Sequence, residues 1–289
     1  MKRLLIVGCG DIALRALPDA LRNYHVCGLA HSPAQAQRIA ALGAEPLVGD
    51  LDDPETLQVL GGCADLVLHL APPGESGERD QRSANLIAAL SSRPPERLVY
   101  ISTSGVYGDC RGAWIDEERP PAAQTVRAGR RVDAERTLLA WGRDSGVAVS
   151  ILRVPGIYAA GRLPLAQLKR GAPVLRFDDD VYSNHIHADD LAAVCLIALE
   201  RGAAGRIYNA SDDSEMKMGD YFDLVADRAR LPHPPRITRA EAEAGAISEG
   251  LMSFMRESRR LVNTRMKAEL GVRLRYPSVR EGVPPVMPY

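Results

Sequence analysis

Three small residues near the start of the chain have the types and the spacing of a phosphate-binding turn. Gly8, Gly10 and Ala13 follow an apolar run, Leu4 to Val7, and precede a helical pattern. A glycine at position 8 permits a tight turn, Gly10 lets a pyrophosphate approach the backbone, and Ala13 lets the helix pack on the strand. The amino end of such a helix also attracts phosphates. The stretch therefore predicts a dinucleotide site, which is expected to involve Gly8, Gly10, Asp11, Ile12 and Ala13.

The end of the second predicted strand bears on which dinucleotide is preferred. His25 to Ala30 is predicted to form that strand, and no acid lies between residues 24 and 37. An acid there would accept hydrogen bonds from the ribose hydroxyls of NAD and would repel the additional phosphate of NADP. His31 and Ser32 can donate to a phosphate, with Arg38 as a helper, which favours NADP over NAD. The alternative is a polar turn with no preference.

Further cofactor contacts are expected where later strands end. Residues 44–48 and 65–70 are predicted as the third and fourth strands of a parallel sheet. An aspartate just past the third strand can accept a hydrogen bond from an adenine amino group. The chain after the fourth strand is expected to pass the nicotinamide side of the cofactor. The residues predicted in these two places are Asp50, Leu51, Ala71, Pro72 and Pro73.

The composition excludes several classes of protein. The chain has 289 residues, of which 46% are hydrophobic and 25% charged, so it can bury a sizeable core. The formal net charge of -1 gives no reason to expect a nucleic acid or an anionic membrane as partner. The five cysteines are scattered without a Cys-x-x-Cys pair, so no metal site is predicted. No apolar run approaches the roughly 20 residues of a membrane span, and a cytoplasmic location is expected.

Five further stretches carry motifs in a fixed order. They are RLVYISTSGVYGD (97–109), VSILRVPGIYAAGR (149–162), HIHADDLA (185–192), RIYNASDD (206–213) and RRLVNTRMKAELG (259–271). In this order they resemble the extended short-chain dehydrogenase/reductases, the family that holds the NAD-dependent epimerases and dehydratases. The resemblance covers essentially the whole chain.

Together with the first motif, this resemblance implies an α/β fold. We expect a doubly wound parallel sheet (Rossmann fold) with a small C-terminal substrate lobe. The dinucleotide-binding domain is predicted over 1–157, with 183–210 returning to it, and the lobe over 158–182 and 211–289. Within the lobe, the stretch from Glu241 to Arg260 is predicted to be helical. The resemblance also implies a homodimer, because members of the family often dimerise through the helices after strands four and five.

The aligned catalytic positions depart from the family pattern. The family has a Ser or Thr after strand five and a Tyr-x-x-x-Lys motif on the next helix. Alignment places Thr103 at the first position, with Ser104 as the alternative, but puts Arg127 at the tyrosine and Arg131 at the lysine. A guanidinium stays protonated, so Arg127 cannot exchange a proton as tyrosine does. Arg131 can still supply a fixed positive charge and donate to the nicotinamide ribose.

The residue that exchanges the proton is therefore open at this point. The candidates are Tyr107, Tyr158, Tyr182, His185 and His187. The catalytic set that we predict is Thr103, Tyr107 and Arg131. The resemblance also implies cofactor contacts from Ser102, Arg131 and Pro155. Alternatively, Arg127, Arg130 and Arg131 could clamp an anionic substrate such as a phosphate, or form a solvated basic face.

Two functional hypotheses follow. The first is an NAD(P)-binding oxidoreductase or epimerase/dehydratase-like enzyme with a non-standard active site, acting on a sugar nucleotide or another small carbonyl compound. The second is a non-catalytic NADP-sensing regulatory or scaffold protein of the same fold. A glycine turn without the catalytic tyrosine is compatible with both.

Overall fold

A parallel sheet of seven strands is the centre of this computed structural model, which describes residues 1–285. Its spatial order is β7-β6-β5-β4-β1-β2-β3, and all neighbouring strands run parallel. The order reverses beside β1, so a crevice forms where the carboxyl ends of β1 and β4 diverge. The strands are β1 (Arg3–Val7), β2 (His25–Ala30), β3 (Glu45–Val48), β4 (Leu66–His69), β5 (Arg97–Thr103), β6 (Ala148–Val154) and β7 (Arg206–Asn209).

Helices cover both faces of the sheet, which confirms the doubly wound α/β prediction. The helices are α1 (Asp11–Asn23), α2 (Pro33–Ala41), α3 (Gln81–Leu90), α4 (Val126–Ser145), α5 (Leu165–Lys169), α6 (Ala188–Arg201), α7 (Met218–Ala229), α8 (Arg239–Glu241), α9 (Glu249–Met255), α10 (Thr264–Leu270) and α11 (Val279–Gly282). On one face α1 and α6 pack together, and on the other α3 packs beside α4. Because both faces are covered, β1 is apolar from Leu4 to Val7 rather than alternating. Within residues 1–285, no helix is both long and apolar enough to cross a membrane.

Besides the two hydrophobic cores on the faces of the sheet, a third core lies in the predicted substrate lobe. Leu175, Phe222 and Met252 are among its buried side chains. Short strand pairs connect the segments around it: Tyr182–Ser183 with Met216–Lys217, Gly156–Tyr158 with His185–His187, Val174–Leu175 with Arg236–Ile237, and Trp114–Ile115 with Arg260–Leu261. The predicted domain boundaries stay a prediction, and their last residues, 286–289, lie outside the described part of the chain.

The prediction of one continuous helix from Glu241 to Arg260 is wrong. The segment contains a π-helical turn over Ala242–Ala246, then α9, and it ends in the short strand Arg260–Leu261. Gly245 has a φ of 102°, a left-handed conformation that only glycine adopts readily, and it ends the first helical stretch. The break allows α9 to take its own direction, with Met252 and Met255 buried.

A buried ion pair fixes α4 to the sheet. The Arg153 guanidinium, on β6, donates to both carboxylate oxygens of Glu135, on α4, and its Nη2 lies 2.7 Å from Oε2. The two side chains are only 2% and 4% exposed. The guanidinium also lies 4.6 Å from the centre of the Tyr107 ring. Removing one partner would leave an uncompensated buried charge, which is far more costly than removing an exposed ion pair.

We therefore expect Glu135→Ala to lower the free energy of unfolding by about 3–5 kcal/mol, measured by urea denaturation. The matched control is Arg136→Ala, at the next position of α4. The Arg136 side chain is 75% exposed, so its removal should change the free energy of unfolding by less than about 1 kcal/mol. Similar losses in the two variants would show that the buried pair does not fix α4. The double variant Glu135→Leu/Arg153→Met should recover most of the loss, because it removes both charges.

Candidate active site

The turn between β1 and α1 leaves its backbone open to a ligand. Gly8 has a φ of 94°, and a Cβ there would lie 2.4 Å from the backbone nitrogen of Ala71. By contrast, a Cβ at Gly10 would meet no atom within 4 Å. Gly10 is the N-cap of α1, and no side chain of residues 1–285 caps that helix. The first-turn N–H groups, those of Ile12 and Ala13 included, therefore have no helical acceptor and can bind phosphate oxygens.

Asp11 stands at this positive helix end and is neutralised by two arginines. Its Oδ1 accepts from Arg15 at 3.1 Å and its Oδ2 from Arg162 at 2.9 Å. Partial burial raises the pKa of the Asp11 carboxyl, but the bonds to Arg162 and Arg15 outweigh it, so the pKa is below its ordinary value. Arg162 follows β6, so this contact also joins the glycine turn to the beginning of the lobe. The carboxylate is thus compensated and does not leave a bare negative charge beside a phosphate site.

A cleft of about 680 Å³ opens in front of this turn. Seven of the predicted cofactor residues line it: Gly8, Gly10, His31, Asp50, Leu51, Ala71 and Pro72. Eight others do not: Ile12, Ala13, Pro73 and Ser102 are buried, Ser32 caps α2, Pro155 lines a second pocket, Asp11 bonds to Arg15 and Arg162, and Arg131 bonds to Tyr100 and Ile101. Ile12 and Ala13 can still contribute backbone N–H groups, whereas the buried Ser102 hydroxyl does not reach the cleft. Sequence reasoning missed Asp52 and Arg82, which form an ion pair across the cleft wall.

Basic and polar side chains line the cleft past the end of β2. The Nδ1 atom of His31 lies 2.6 Å from Oε1 of Gln35. Gln35 and Arg38 also line the cleft, one turn apart along α2. The Ser32 hydroxyl oxygen accepts from the backbone N–H of Gln35 at 3.3 Å, so this serine serves as the helix cap. The spacing of Gln35 after the cap is the sequence signal that could have identified it.

A second pocket, of about 180 Å³, lies between the ends of β5 and β6 and the lobe. Thr103, Ser104, Pro155 and Tyr182 line it. The Thr103 hydroxyl oxygen accepts from the backbone N–H of Gly105 at 3.2 Å. That bond uses an acceptor site of the hydroxyl and leaves its hydrogen for a ligand oxygen. The geometry therefore suits Thr103 as a hydrogen-bond donor to a substrate.

The three arginines of α4 do not converge. Arg127 lines the second pocket, with its guanidinium carbon 5.3 Å from the centre of the Phe254 ring. Arg130 donates to the carbonyl of Gly77 at 2.9 Å. Arg131 donates to the Tyr100 hydroxyl at 2.8 Å and to the Ile101 carbonyl at 2.6 Å, and it lines neither cavity. The clamp made of all three is therefore wrong, and the ribose contact of Arg131 stays a prediction.

Tyr107 does not occupy the position expected of a proton donor. It is fully buried, and its hydroxyl donates to Oδ1 of Asn209 at 2.8 Å. Its ring packs under Arg153, away from the pocket that holds Thr103. The reason is that the loop after β5 turns inward as a 3-10 segment over Ser104–Tyr107 and carries the side chain into the core.

Of the other proton-exchange candidates, two are engaged elsewhere and two line the pocket. Tyr158 is buried and donates to the carbonyl of Ser278 at 3.1 Å. His187 caps α6, and its Nδ1 accepts from the backbone of Asp189 at 3.2 Å. Tyr182 and His185 line the pocket. Burial lowers the pKa of His185 to about 4, so its imidazole is neutral near pH 7.

One group of metal-ligating types lies at the opposite edge of the sheet. Ligand atoms of His25, Cys27 and Glu45 lie within 4.8 Å of one another. However, the Arg3 guanidinium lies 3.5 Å from Glu45 and 3.6 Å from the Cys27 sulfur. A fixed cation at this place opposes a second one, so we assign no metal to the group.

A comparison with known families agrees with this geometry. A sequence profile described as the NAD dependent epimerase/dehydratase family matches residues 10–211. The chain belongs to this family. Its members use a nicotinamide cofactor, and the open glycine turn beside a cleft of suitable chemistry fits such a group.

Relatives and solved structures extend the similarity over most of the chain. The chain is 27% identical to a 4-hydroxy-2-methyl-3-oxo-4-farnesyl-3,4-dihydroquinoline-1-oxide ketoreductase of Stigmatella aurantiaca, over 84% of this chain and 79% of that protein. It is 28% identical to a 2-alkyl-3-oxoalkanoate reductase of Shewanella oneidensis, over 91% of this chain and 76% of that protein. A solved structure of a conserved protein of unknown function from Silicibacter pomeroyi is 29% identical, with a TM-score of 0.76 over 98% and 97% of the two chains.

Gly10→Val tests the cofactor cleft directly. A Cβ at this position has open space around it, so the variant should fold, while its side chain would fill the place of the pyrophosphate. We expect the affinity for NADPH, followed by fluorescence titration, to fall by at least about 100-fold.

Gly250→Val is the matched control, because a Cβ there also meets no atom within 4 Å and the position is in α9, away from the turn. It should bind NADPH as the unmodified protein does. Unchanged affinity in Gly10→Val, with a normal thermal unfolding temperature, would contradict the assignment of the turn.

Proposed function

We propose that the protein is an NADP(H)-dependent oxidoreductase that reduces a carbonyl group of a small molecule, or oxidises the corresponding alcohol. The observation that carries this proposal is the position of the two cavities. The cleft at Gly10 and the pocket at Thr103 both open at the carboxyl ends of the parallel strands, where ligands bind in sheets of this type. The names of two relatives, a ketoreductase and an oxoalkanoate reductase, support the same reaction class.

The preference for NADP rests on the charges past β2. Arg38 lines the cleft and, within residues 1–285, forms no ion pair. His31 also lines the cleft, and the two carboxylates of the lining, Asp50 and Asp52, follow β3 instead of β2. Asp52 is also paired with Arg82 at 2.5 Å. A phosphate on the adenine ribose would thus meet the Arg38 guanidinium, the His31 ring and the amino end of α2, with no acid in the turn that directly follows β2.

In the proposed reaction, the cofactor and the protein side chains have separate roles. When bound, the cofactor supplies or accepts a hydride. The Thr103 hydroxyl donates to the substrate oxygen and holds it in the pocket. Arg131 donates to the Ile101 carbonyl, on β5. Since Arg131 lines neither cavity, the role proposed for it is the contact with the nicotinamide ribose and not a contact with the substrate oxygen.

Tyr182 is our candidate for the proton donor. It lines the pocket and carries a hydroxyl that can donate a proton. The centre of its ring lies 4.4 Å from the guanidinium carbon of Arg260 and 5.9 Å from Nζ of Lys217. His185 is less suitable, because an imidazole with a pKa of about 4 carries no exchangeable cationic proton near pH 7. Tyr182 thus takes the role that Tyr107 was expected to have.

A second function is favoured by the side chain of Arg127, which lines the second pocket. The family resemblance aligns this residue with the tyrosine of the Tyr-x-x-x-Lys motif, and a guanidinium cannot exchange a proton. A protein that binds NADP and signals its level to a partner would need the cleft and not the tyrosine. NADPH binding without consumption in the presence of any carbonyl compound would favour this sensor. The expected homodimer through α3 and α4, and the cytoplasmic location, also stay predictions.

The cofactor preference is tested with Arg38→Ala. Loss of a charge-assisted bond to phosphate should weaken NADPH binding about tenfold and leave NADH binding unchanged. Arg22→Ala is the control, since its side chain is 75% exposed in the last turn of α1. Equal losses for both cofactors would show that Arg38 contacts a part they share, and tighter NADH binding by the unmodified protein would refute the NADP preference.

The proton donor is tested with Tyr182→Phe in an NADPH-consumption assay over a panel of small carbonyl compounds. Turnover should fall about 100-fold or more, with unchanged NADPH affinity. Thr103→Ala should have a similar effect. Tyr24→Phe serves as the control, because its hydroxyl bonds to Glu200, remote from the pocket. A Tyr182→Phe variant with full turnover would remove Tyr182 from the mechanism.

A further inference from the structure

The second pocket is built on the amino end of a long helix. Thr125, Arg127 and Ala128, at the start of the 20-residue α4, line it. The Thr125 hydroxyl caps the backbone N–H of Ala128 at 3.1 Å. The N–H groups of Val126 and Arg127 precede the first helical bonds and have no helical acceptor. The first turn contains no acid, so the positive end of the helix dipole is uncompensated here.

Side-chain charges add to this positive potential. The charged residues of the pocket lining are Arg127, Glu257 and Arg259. Arg259 and Glu257 pair with each other at 2.8 Å, which leaves the Arg127 guanidinium as the excess charge. Within the described chain Arg127 has no carboxylate partner, and its guanidinium lies over the Phe254 ring at the pocket. The lining therefore carries one net positive charge as well as the helix end.

Buried polar atoms of the lining lack partners. His185 is 5% exposed, and its Nδ1 has no hydrogen-bond partner in residues 1–285. The same holds for Oγ of Ser183 and for Nε of Arg259, whose side chain is 12% exposed. Buried polar atoms are nearly always satisfied in folded proteins, so unsatisfied ones grouped around one cavity indicate a polar ligand.

The size of the pocket restricts that ligand. Its volume of about 180 Å³ is below the roughly 300–1,000 Å³ of pockets for drug-sized ligands. A whole sugar nucleotide is larger than the enclosed space. The occupant that fits is a compact molecule with a polar or charged group.

We propose that the pocket binds a small carbonyl substrate, or its alcohol, through an oxyanion group that Arg127 and the amino end of α4 hold, with the carbonyl at Thr103. This inference rests on the proposed oxidoreductase function and specifies its substrate class. A carboxylate and a phosphate share the chemistry that recognises them here, namely oxygen atoms that accept from a guanidinium and from backbone N–H groups. In this proposal Arg127, at the aligned position of the family's tyrosine, is the specificity-determining residue.

The test is isothermal titration calorimetry on the full chain without cofactor. The probes are inorganic phosphate, 2-oxobutyrate and the methyl ester of 2-oxobutyrate, which keeps the carbonyl and removes the charge. We expect at least one of the two anions to bind at millimolar concentration, and the neutral ester to bind at least about tenfold more weakly than 2-oxobutyrate. Whether phosphate or 2-oxobutyrate binds more tightly identifies the oxyanion.

Two variants locate the binding. Arg127→Ala should weaken anion binding about tenfold or more, while Arg127→Lys should retain part of it. Arg143→Ala, an exposed cation in the last turn of α4, is the matched control and should bind as the unmodified protein does. No anion binding at all, or equal binding by the Arg127→Ala variant, would overturn the proposal.

A parallel NADPH titration separates the two proposals. If NADPH binds and the anions do not, the substrate class is wrong and the oxidoreductase proposal stands. If the anions bind through Arg127 and NADPH does not bind, the oxyanion site is present but the proposed NADP(H)-dependent reaction is wrong. Arg127→Ala should leave NADPH affinity unchanged, because Arg127 does not line the cofactor cleft.

Discussion

The buried ion pair of Arg153 and Glu135 connects the parts that carry the site. Arg153 is on β6, Glu135 is on α4, and the same guanidinium packs on Tyr107 in the loop after β5. Tyr107 in turn bonds to Asn209 at the end of β7. Three strands and one helix are therefore fixed relative to one another by charge and hydrogen bonding inside the protein. The positions of Thr103, at the end of β5, and of Arg127, at the start of α4, depend on this connection.

Local patterns predicted the sheet because each one satisfies a local physical requirement. The apolar run before Gly8 has the length and composition of a strand with both faces covered, and the glycine turn required a positive φ and open space for a ligand. The absence of an acid after β2 and the apolar residues of the strands are likewise visible in single short segments. These features hold within a few residues, so the sequence alone was sufficient for them.

The site was harder to predict because distant segments assemble it. The sequence of its loop predicted Tyr107 as a proton donor, yet the Tyr107 hydroxyl donates to Asn209, which lies 102 positions later in the chain. Phe254 and Arg259 enter the pocket from beyond the break at Gly245, which the helical pattern of that segment concealed. The divergence of the α4 arginines also depends on what each one meets, namely Phe254, Gly77 and Tyr100. None of these partners is adjacent in sequence.

The geometry of α4 also bears on how this site could have changed during evolution. Glu135, which anchors the helix, and Arg127, which faces the pocket, are two turns apart on the same helix. The Glu135 side chain is buried, whereas Arg127 is exposed. A substitution at 127 can therefore alter the chemistry of the pocket without disturbing the scaffold. The residue type at 127 can be exchanged to suit a new ligand while the buried ion pair keeps the protein folded.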